Sequence, residues 1–583
     1  LIYNNQILNF IFQERIAKEF LEYNSQKEGP LYEGDNKIFL KYPKNNNEKY
    51  DLIKHKLINE KWSLTSKNHT HISQEGLSIL NKSIETYIEN LKIIRLLPAD
   101  YFTLEKKHFS TNYFSRLNAY DSLNFAFKAE HGLAIDDRTY YFDAFYKEFH
   151  PIYWDGMSSI LDRFNNINNN STSKTIYTPS VKTGASEALN LIDSLDVKKL
   201  YDELKLHNVS IAKNKLNELK KKIRNNLINF NDLKENQISQ IKYINNSKKY
   251  FNKKNTLDFS EVRLIFYDEN FNNYKICEYY LTKCKNIKLD KKEISQILNQ
   301  NYRHKKKTTV FLSKSLQKGK EDFKWFHEFL KEKEKVKIEL VANNKVRING
   351  DIEYNIDEKN RILEFKKISS YGNVTFSKGK LKDWTIKFTN NNKDTYSGID
   401  NSNLTGCLNF YDMELINISL EIQNSNCEDA VNFTRSNGTI NKLKVNKSSF
   451  DSLDADFSKI KFKKIYITNS LNDCADFSYG TYSIEDSILN YCGDKGISAG
   501  ELSIVNINNT KISNSNIGVA SKDYSIISIE SGKINNVEYC YRVYNKKLEF
   551  SGAELNVKNS TCRKNVKKNY VDKRSNLFLK NEL

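Results

Sequence analysis

Acidic, basic and phenolic side chains recur at one interval between Thr405 and Cys562. A short phrase returns roughly every 20 to 24 residues. It reads Cys427-Glu428-Asp429-Ala430-Val431-Asn432-Phe433, Leu453-Asp454-Ala455-Asp456-Phe457, Asp473-Cys474-Ala475-Asp476-Phe477, Gly493-Asp494-Lys495-Gly496-Ile497-Ser498 and Gly518-Val519-Ala520-Ser521-Lys522-Asp523, with a sixth turn at Cys540-Tyr541-Arg542-Val543-Tyr544. These residue types suit a lyase or epimerase acting on a uronic acid polymer. Such chemistry needs a cation to neutralise the sugar carboxylate, a base to take the C5 proton, and an acid to return one or to expel the leaving group. On that reading Asp494, Lys495 and Lys522 are catalytic, while Asp429, Asp454, Asp473, Arg542 and Tyr544 bind substrate. Two other uses of the same residues stay open. The ladder could satisfy turn backbones through Asx interactions and ion pairs, or hold Ca²⁺ between successive carboxylates.

The elements that position these residues are short strands. Ile465-Tyr466-Ile467, Leu502-Ser503-Ile504-Val505-Asn506-Ile507 and Ile526-Ile527-Ser528-Ile529 alternate with period two, and Asn-, Ser- and Gly-rich corners separate them. A repeat this short, without a helix, cannot bury its apolar face alone and must stack on its neighbours. The pattern predicts a right-handed parallel β-helix over residues 336–563, in which a recurring phrase becomes a column in space. Asp429, Asp454, Asp473 and Asp494 are then expected along one face. A leucine-rich repeat lacks its frame here, and strict recurrence disfavours an antiparallel sandwich.

The chain has 583 residues, enough for several domains. Its formal charge of +19 accompanies Lys, Asn and Ile richness throughout, as an AT-rich genome produces, and no nucleic-acid recognition module is present. Acidic polysaccharide or an anionic cell-surface glycan is the expected partner. No apolar run reaches the roughly 18 to 20 residues of a membrane span. Eight cysteines show no CxxC pair; six lie in the repeat, where a stacked free-thiol ladder is expected in preference to disulfides.

A second chemical stretch lies earlier, in Glu130-His131-Gly132, Asp136-Asp137-Arg138 and Pro151-Ile152-Tyr153-Trp154-Asp155-Gly156. With Phe12-x-Glu14-x-x-x-Lys18-x-Phe20-Leu21 and a following Gly29-x-Leu31-Tyr32, it resembles the carboxy-terminal part of the CotH family of spore-coat kinases. The resemblance implies that Asp155, in the Trp-Asp phrase, holds Mg²⁺ on the phosphates of ATP. It also implies a catalytic base about two dozen residues earlier, where this chain offers His131, Asp136 or Asp137. The nucleotide lysine would precede Leu1, and an amino-terminal portion carrying any targeting signal is expected to be missing. Read without the resemblance, Trp154-Asp155-Gly156 is a strand end and a turn, and His131-Gly132 a helix terminus. The repeat phrases Leu404-Thr405-Gly406-Cys407 and Cys492-Gly493-Asp494-Lys495 are similar to a β-helix module attached to CotH-like proteins.

The expected organisation is a mixed α+β, CotH-kinase-like region over 1–165, a polar linker at Asn165–Lys174, a helical region over 175–255 and a small α/β region over 256–335 that ends in a helix at Lys324–Lys333. The β-helix follows, and then a loose basic tail over 564–583. The first β-helix coils are expected from Val336. The functional expectation is an envelope-associated or extracellular protein that binds or modifies a surface polysaccharide, with an ATP-dependent phosphotransferase or a purely structural, adhesive β-helix as alternatives.

Overall fold

The computed structural model describes residues 2–3, 6–7, 15–41, 49–89, 111–133, 137–160, 178–206, 209–234, 262–268, 273–278, 283–299, 301–305, 307–311, 336–392, 394, 398–567 and 569–580. Asp136, the linker Asn165–Lys174 and the helix expected at Lys324–Lys333 lie outside them. The chain divides into two compact units, one formed by Leu1–Glu28 with Lys324–Leu583, the other by Gly29–Phe323.

The Gly29–Phe323 unit combines helices with two small sheets. One sheet is antiparallel, in the order Lys49–Leu57, Leu31–Lys41, Thr139–Asp143, Glu148–Ile152. Helices Thr111–Ala126, Pro179–Ser194 and Lys213–Asn231 share a core that includes Phe125, Val181, Ala185, Ile223 and Leu227. Gly184 sits where a Cβ would collide with the Asn118 backbone at 2.1 Å, so the first two helices touch closely. Arg138 is buried against Asp121 and donates to Tyr140 Oη at 3.1 Å, while Asp121 Oδ2 accepts from Ser180 Oγ at 2.6 Å. That network ties sheet to helices, and burial of a charge requires such a partner set.

The other unit is a parallel β-solenoid of about 10 turns. Parallel pairing sets in with Ile362–Lys382, which lies beside Thr385–Asn390 and Gly406–Ser425. The strands expected as the first coils behave differently. Val336–Val341 and Asn344–Asp357 run antiparallel, as do Asn344–Asp357 and Ile362–Lys382. The reason is local: Ala342 and Asn343 both have positive φ, 47° and 64°, the two-residue hairpin geometry that reverses a strand.

Each regular coil contributes strands to three faces, and each strand pairs with its equivalent one coil later. Inward columns follow from that register. Leu408, Val431, Leu453, Ala475, Ile497, Val519 and Tyr541 form one, all buried. Phe376, Phe410 and Phe433 form another, their rings stacked at centroid distances of 5.2 and 5.0 Å, close to the strand spacing of about 4.8 Å. Asn424, Asn469, Asn514, Asn536 and Asn559 have left-handed φ, which explains the Asn-rich corners. Gly438, at φ 132°, lies where a Cβ would come within 1.8 Å of Leu415 O.

Two expectations are corrected. All eight cysteines are paired, as Cys277–Cys284, Cys407–Cys427, Cys474–Cys492 and Cys540–Cys562. One coil of separation places the Cα atoms of the last three pairs 5.4, 5.3 and 6.2 Å apart, a span a disulfide bridges, so the solenoid's thiols do not stack as a free ladder. The basic tail is not loose either, because Tyr570–Val571 and Asn576–Lys580 add parallel strands to the preceding coil.

The phenylalanine stack makes a stability prediction. Phe433→Ala removes the end ring of that column and should lower the unfolding free energy of the solenoid by about 3–5 kcal/mol. Urea titration followed by hydrogen exchange of the surrounding strands checks this, and a loss under about 1 kcal/mol would show that the column does not support the coils.

Candidate functional site on the solenoid

From Asp429 to Arg542, column partners on the first face are 22 residues apart. Two outward columns therefore stand side by side. One begins with Asp429 opposite Asp451. It continues through Asp473, whose amide donates to Asp451 Oδ1 at 2.7 Å, and Lys495, whose amide donates to Asp473 Oδ1 at 3.0 Å. The other runs Asn409, Asn432, Asp454, Asp476, Ser498, Ala520, Arg542, Tyr570. Four of the expected acids thus share a face, but Asp429 and Asp454 belong to different columns. The acids that stack on them, Asp451 and Asp476, are not among the expected site residues, although strict 22-residue spacing from Asp429 and Asp454 reaches both.

Close packing of like charges sets the titration of the first half of the face. Burial, with Asp429, Asp473 and Asp476 alongside, pushes Asp451 up to about 8. Burial raises Asp429 to about 7, opposed by the charge of Lys27. Asp454 is held well above the carboxylate range by burial and by Asp456 and Asp429. Asn432 Nδ2 donates to Asp454 Oδ2 at 2.6 Å and to Asp429 Oδ2 at 3.3 Å, so one amide links the columns.

The second half is mixed in sign. Lys495 Nζ lies 3.2 Å from both Asp473 oxygens and also reaches Asp494. Burial opposes the Lys495 charge, but Asp473 and Asp494 raise its pKa. Asp473 is raised, by burial first and then by Asp476, whereas on Asp494 burial is outweighed by the Lys495 hydrogen bond and charge together with Asn516 and Arg542, and its pKa is lowered. Lys522 passes Gly500, where a Cβ would meet its Cε at 3.5 Å, and brings Nζ within 3.8 Å of Asp476 Oδ1. Arg542 sits at the far end among Tyr539, Tyr544 and Tyr570.

A segment of the same unit, which includes the helix Lys18–Tyr23, lies along the first half. Glu28 O accepts from Asn403 Nδ2 at 2.8 Å, Ser25 O and Gln26 Oε1 accept from Arg435 Nη1 at 3.3 Å, and Glu22 Oε2 accepts from Tyr479 Oη at 2.9 Å. Lys27 lowers the pKa values of Asp429, Asp454 and Asp456, so its charge faces the buried acids. Arg435 and Tyr479, with Phe457 stacked on Tyr479 at 5.1 Å, occupy corners at φ 49°, 45° and 52°. Side chains other than Asn or Gly at left-handed corners are costly. Here two of the three are the side chains that hold the segment.

In the other unit, His131, Asp137 and Asp155 converge, with one ligand atom from each within 4.8 Å of the others. His131 Nδ1 is 3.0 Å from Asp155 O and 3.3 Å from Asp137 Oδ2. The turn that brings Asp155 there has left-handed φ at Asp155 and Met157, and Gly132 lies where a Cβ would touch Trp154 O at 3.0 Å. One imidazole and two carboxylates suit a borderline ion such as Mn²⁺ or Zn²⁺ better than Mg²⁺, which favours an all-oxygen shell.

No protein-family model, curated protein or solved structure matches the chain.

The acid column makes folding pH-dependent. An Asp titrates near about 3.9 when unfolded. The raised groups therefore favour the folded state fully below that pH, and the contribution is lost as pH rises through about 8 for Asp451 and about 7 for Asp429. The lowered groups Asp494 and Glu501 act only at lower pH. In the other unit burial, with Arg138, pushes His55 down to about 3, so that unit loses stability as pH falls from about 6.5. Calorimetry should show the solenoid transition rising in temperature from pH 8 to pH 5, and Asp451→Asn should raise it at pH 8 and flatten the slope. A solenoid transition that falls over that range would sink this account.

Proposed function

We propose that the solenoid binds, and modifies by proton transfer, an extended acidic polysaccharide of a cell surface, and that it does so on the second half of the first face. The observation that carries this reading is the neighbouring pair Asp473 and Asp494, pushed in opposite directions around Lys495. Two carboxyl groups driven apart in pKa divide the roles of acid and base between them. Asp494 is the ionised base for a proton next to a sugar carboxylate, Asp473 the acid, and Lys522, 3.8 Å from Asp476, the cation that neutralises the carboxylate. The first half of the face, under the Lys27 segment, serves to hold that segment. Four disulfides support an oxidising, extracellular or envelope setting.

Incubation with polyuronates in D₂O tests the chemistry, through deuterium wash-in at C5 or the absorbance of an unsaturated product. Asp494→Asn should lower the rate about 10²-fold or more, and Lys522→Ala should weaken it as well. Binding without wash-in or unsaturation would reduce the solenoid to a binding module, and the absence of both would favour an adhesive or structural role.

The convergence of His131, Asp137 and Asp155 favours a second, separate reading. It supports a divalent-metal site in the Gly29–Phe323 unit, within the 1–165 stretch that resembles the CotH kinases, and with it a phosphotransferase reading of that stretch. Asp155 and Asp137 would supply oxygens and His131 a nitrogen. Calorimetric titration with Mn²⁺ and Mg²⁺, without and with ATP, should give binding that is stronger for Mn²⁺ and falls about tenfold or more in Asp155→Asn. Equal binding by the wild type and Asp155→Asn would remove the metal role.

A further inference from the structure

Arg116, Arg138, Arg224, Arg361 and Arg435 each hold a carboxylate. Arg542 does not. Its guanidinium carbon lies 5.2, 4.9 and 5.1 Å from the ring centres of Tyr539, Tyr544 and Tyr570. Its Nε is buried and has no hydrogen-bond partner among the described residues. Asp494 feels its charge, but no hydrogen bond joins the two. A guanidinium has five N–H donors in one plane. Rings satisfy its faces by cation–π attraction and leave only that plane for an acceptor.

The surroundings favour an anion. Lys567 Nζ stands 5.2 Å from the Tyr539 ring centre but is paired with Glu538, so the charge of the box is that of Arg542. The nearest column partners of Arg542 are Ala520 on one side and Tyr570 on the other, so no carboxylate competes within the column. One coil beyond Ala520, the Oγ of the fully buried Ser498 also lacks a partner. Buried donors without acceptors are rare in native proteins and signal a missing water, ion or ligand. Tyr570, 44% exposed, presents a ring on which the apolar side of a sugar can lie.

We propose that Arg542, boxed by Tyr539, Tyr544 and Tyr570, is an oxyanion subsite that takes the carboxylate or sulfate ester of an acidic glycan edge-on. The subsite rests on the glycan reading above and gives it a ligand class. The planar fork binds two oxygens of the ligand at once, an arrangement a lysine cannot reproduce.

The test is titration of the full chain with oligogalacturonates, sulfated chondroitin oligosaccharides and neutral cello-oligosaccharides, at two salt concentrations. The wild type should bind an anionic ligand and not the neutral one. Arg542→Gln and Arg542→Lys should each lose about tenfold or more in affinity, with unfolding midpoints unchanged, and Tyr570→Ala should lose a smaller factor. Preference for galacturonate over the sulfated ligand assigns the site to carboxylates, and the reverse to sulfate esters. Wild-type binding that survives Arg542→Gln and Arg542→Lys but falls with Lys522→Ala overturns the subsite and leaves the glycan reading standing. A wild type that binds no anionic oligosaccharide overturns both. Should Arg542→Gln unfold, Arg542→Lys with Tyr570→Ala carries the comparison.

Discussion

The ladder of parallel backbone hydrogen bonds between successive coils governs everything else in the solenoid. It holds only while each coil returns to the same register, and over the first face from Asp429 to Arg542 the return takes 22 residues. Register converts sequence positions into columns, and columns decide which side chains share an environment. The stacked phenylalanines inside and the stacked aspartates outside are consequences of one constraint. A slip of one residue would exchange them.

That constraint forces charges together. Asp429, Asp451, Asp454, Asp456, Asp473 and Asp476 occupy neighbouring rungs, and the face has fewer cations than acids along its first half. Proton binding and Lys27 relieve the repulsion there, and Lys495 and Lys522 relieve it further along. The two halves of one face thereby acquire different character. The first is a seat for a polypeptide segment that carries its own counter-charge. The second mixes acid, base, small side chains and a boxed guanidinium.

Much of this is legible in the amino-acid sequence. Period-two runs and the recurring phrase placed the solenoid and most of its strands, because burial on a stack leaves a periodic trace. The antiparallel start was not legible, since it depends on the φ values of Ala342 and Asn343, positions whose residue types do not announce a hairpin. Asp476 and Asp451 are equivalent by residue type to Asp473 and Asp454, and only register separates the columns. The pairing of Cys407 with Cys427 turns on a distance of 5.4 Å between Cα atoms, which spacing alone bounds loosely. The Lys27 segment was invisible to sequence, because its partners Asp429, Asp454 and Asp456 lie about four hundred residues away.

The three disulfides of the solenoid each join cysteines 18 to 22 residues apart, close to the length of one coil. Each converts most of one coil into a covalent ring. A protease that cuts once within residues 407–427, 474–492 or 540–562 opens the backbone but leaves both ends attached, and the neighbouring rungs still template the severed strand. Cleavage in those coils is therefore survivable in a way that cleavage in the coils between them is not. The chain carries its own tolerance to nicking at three rungs spaced along its length.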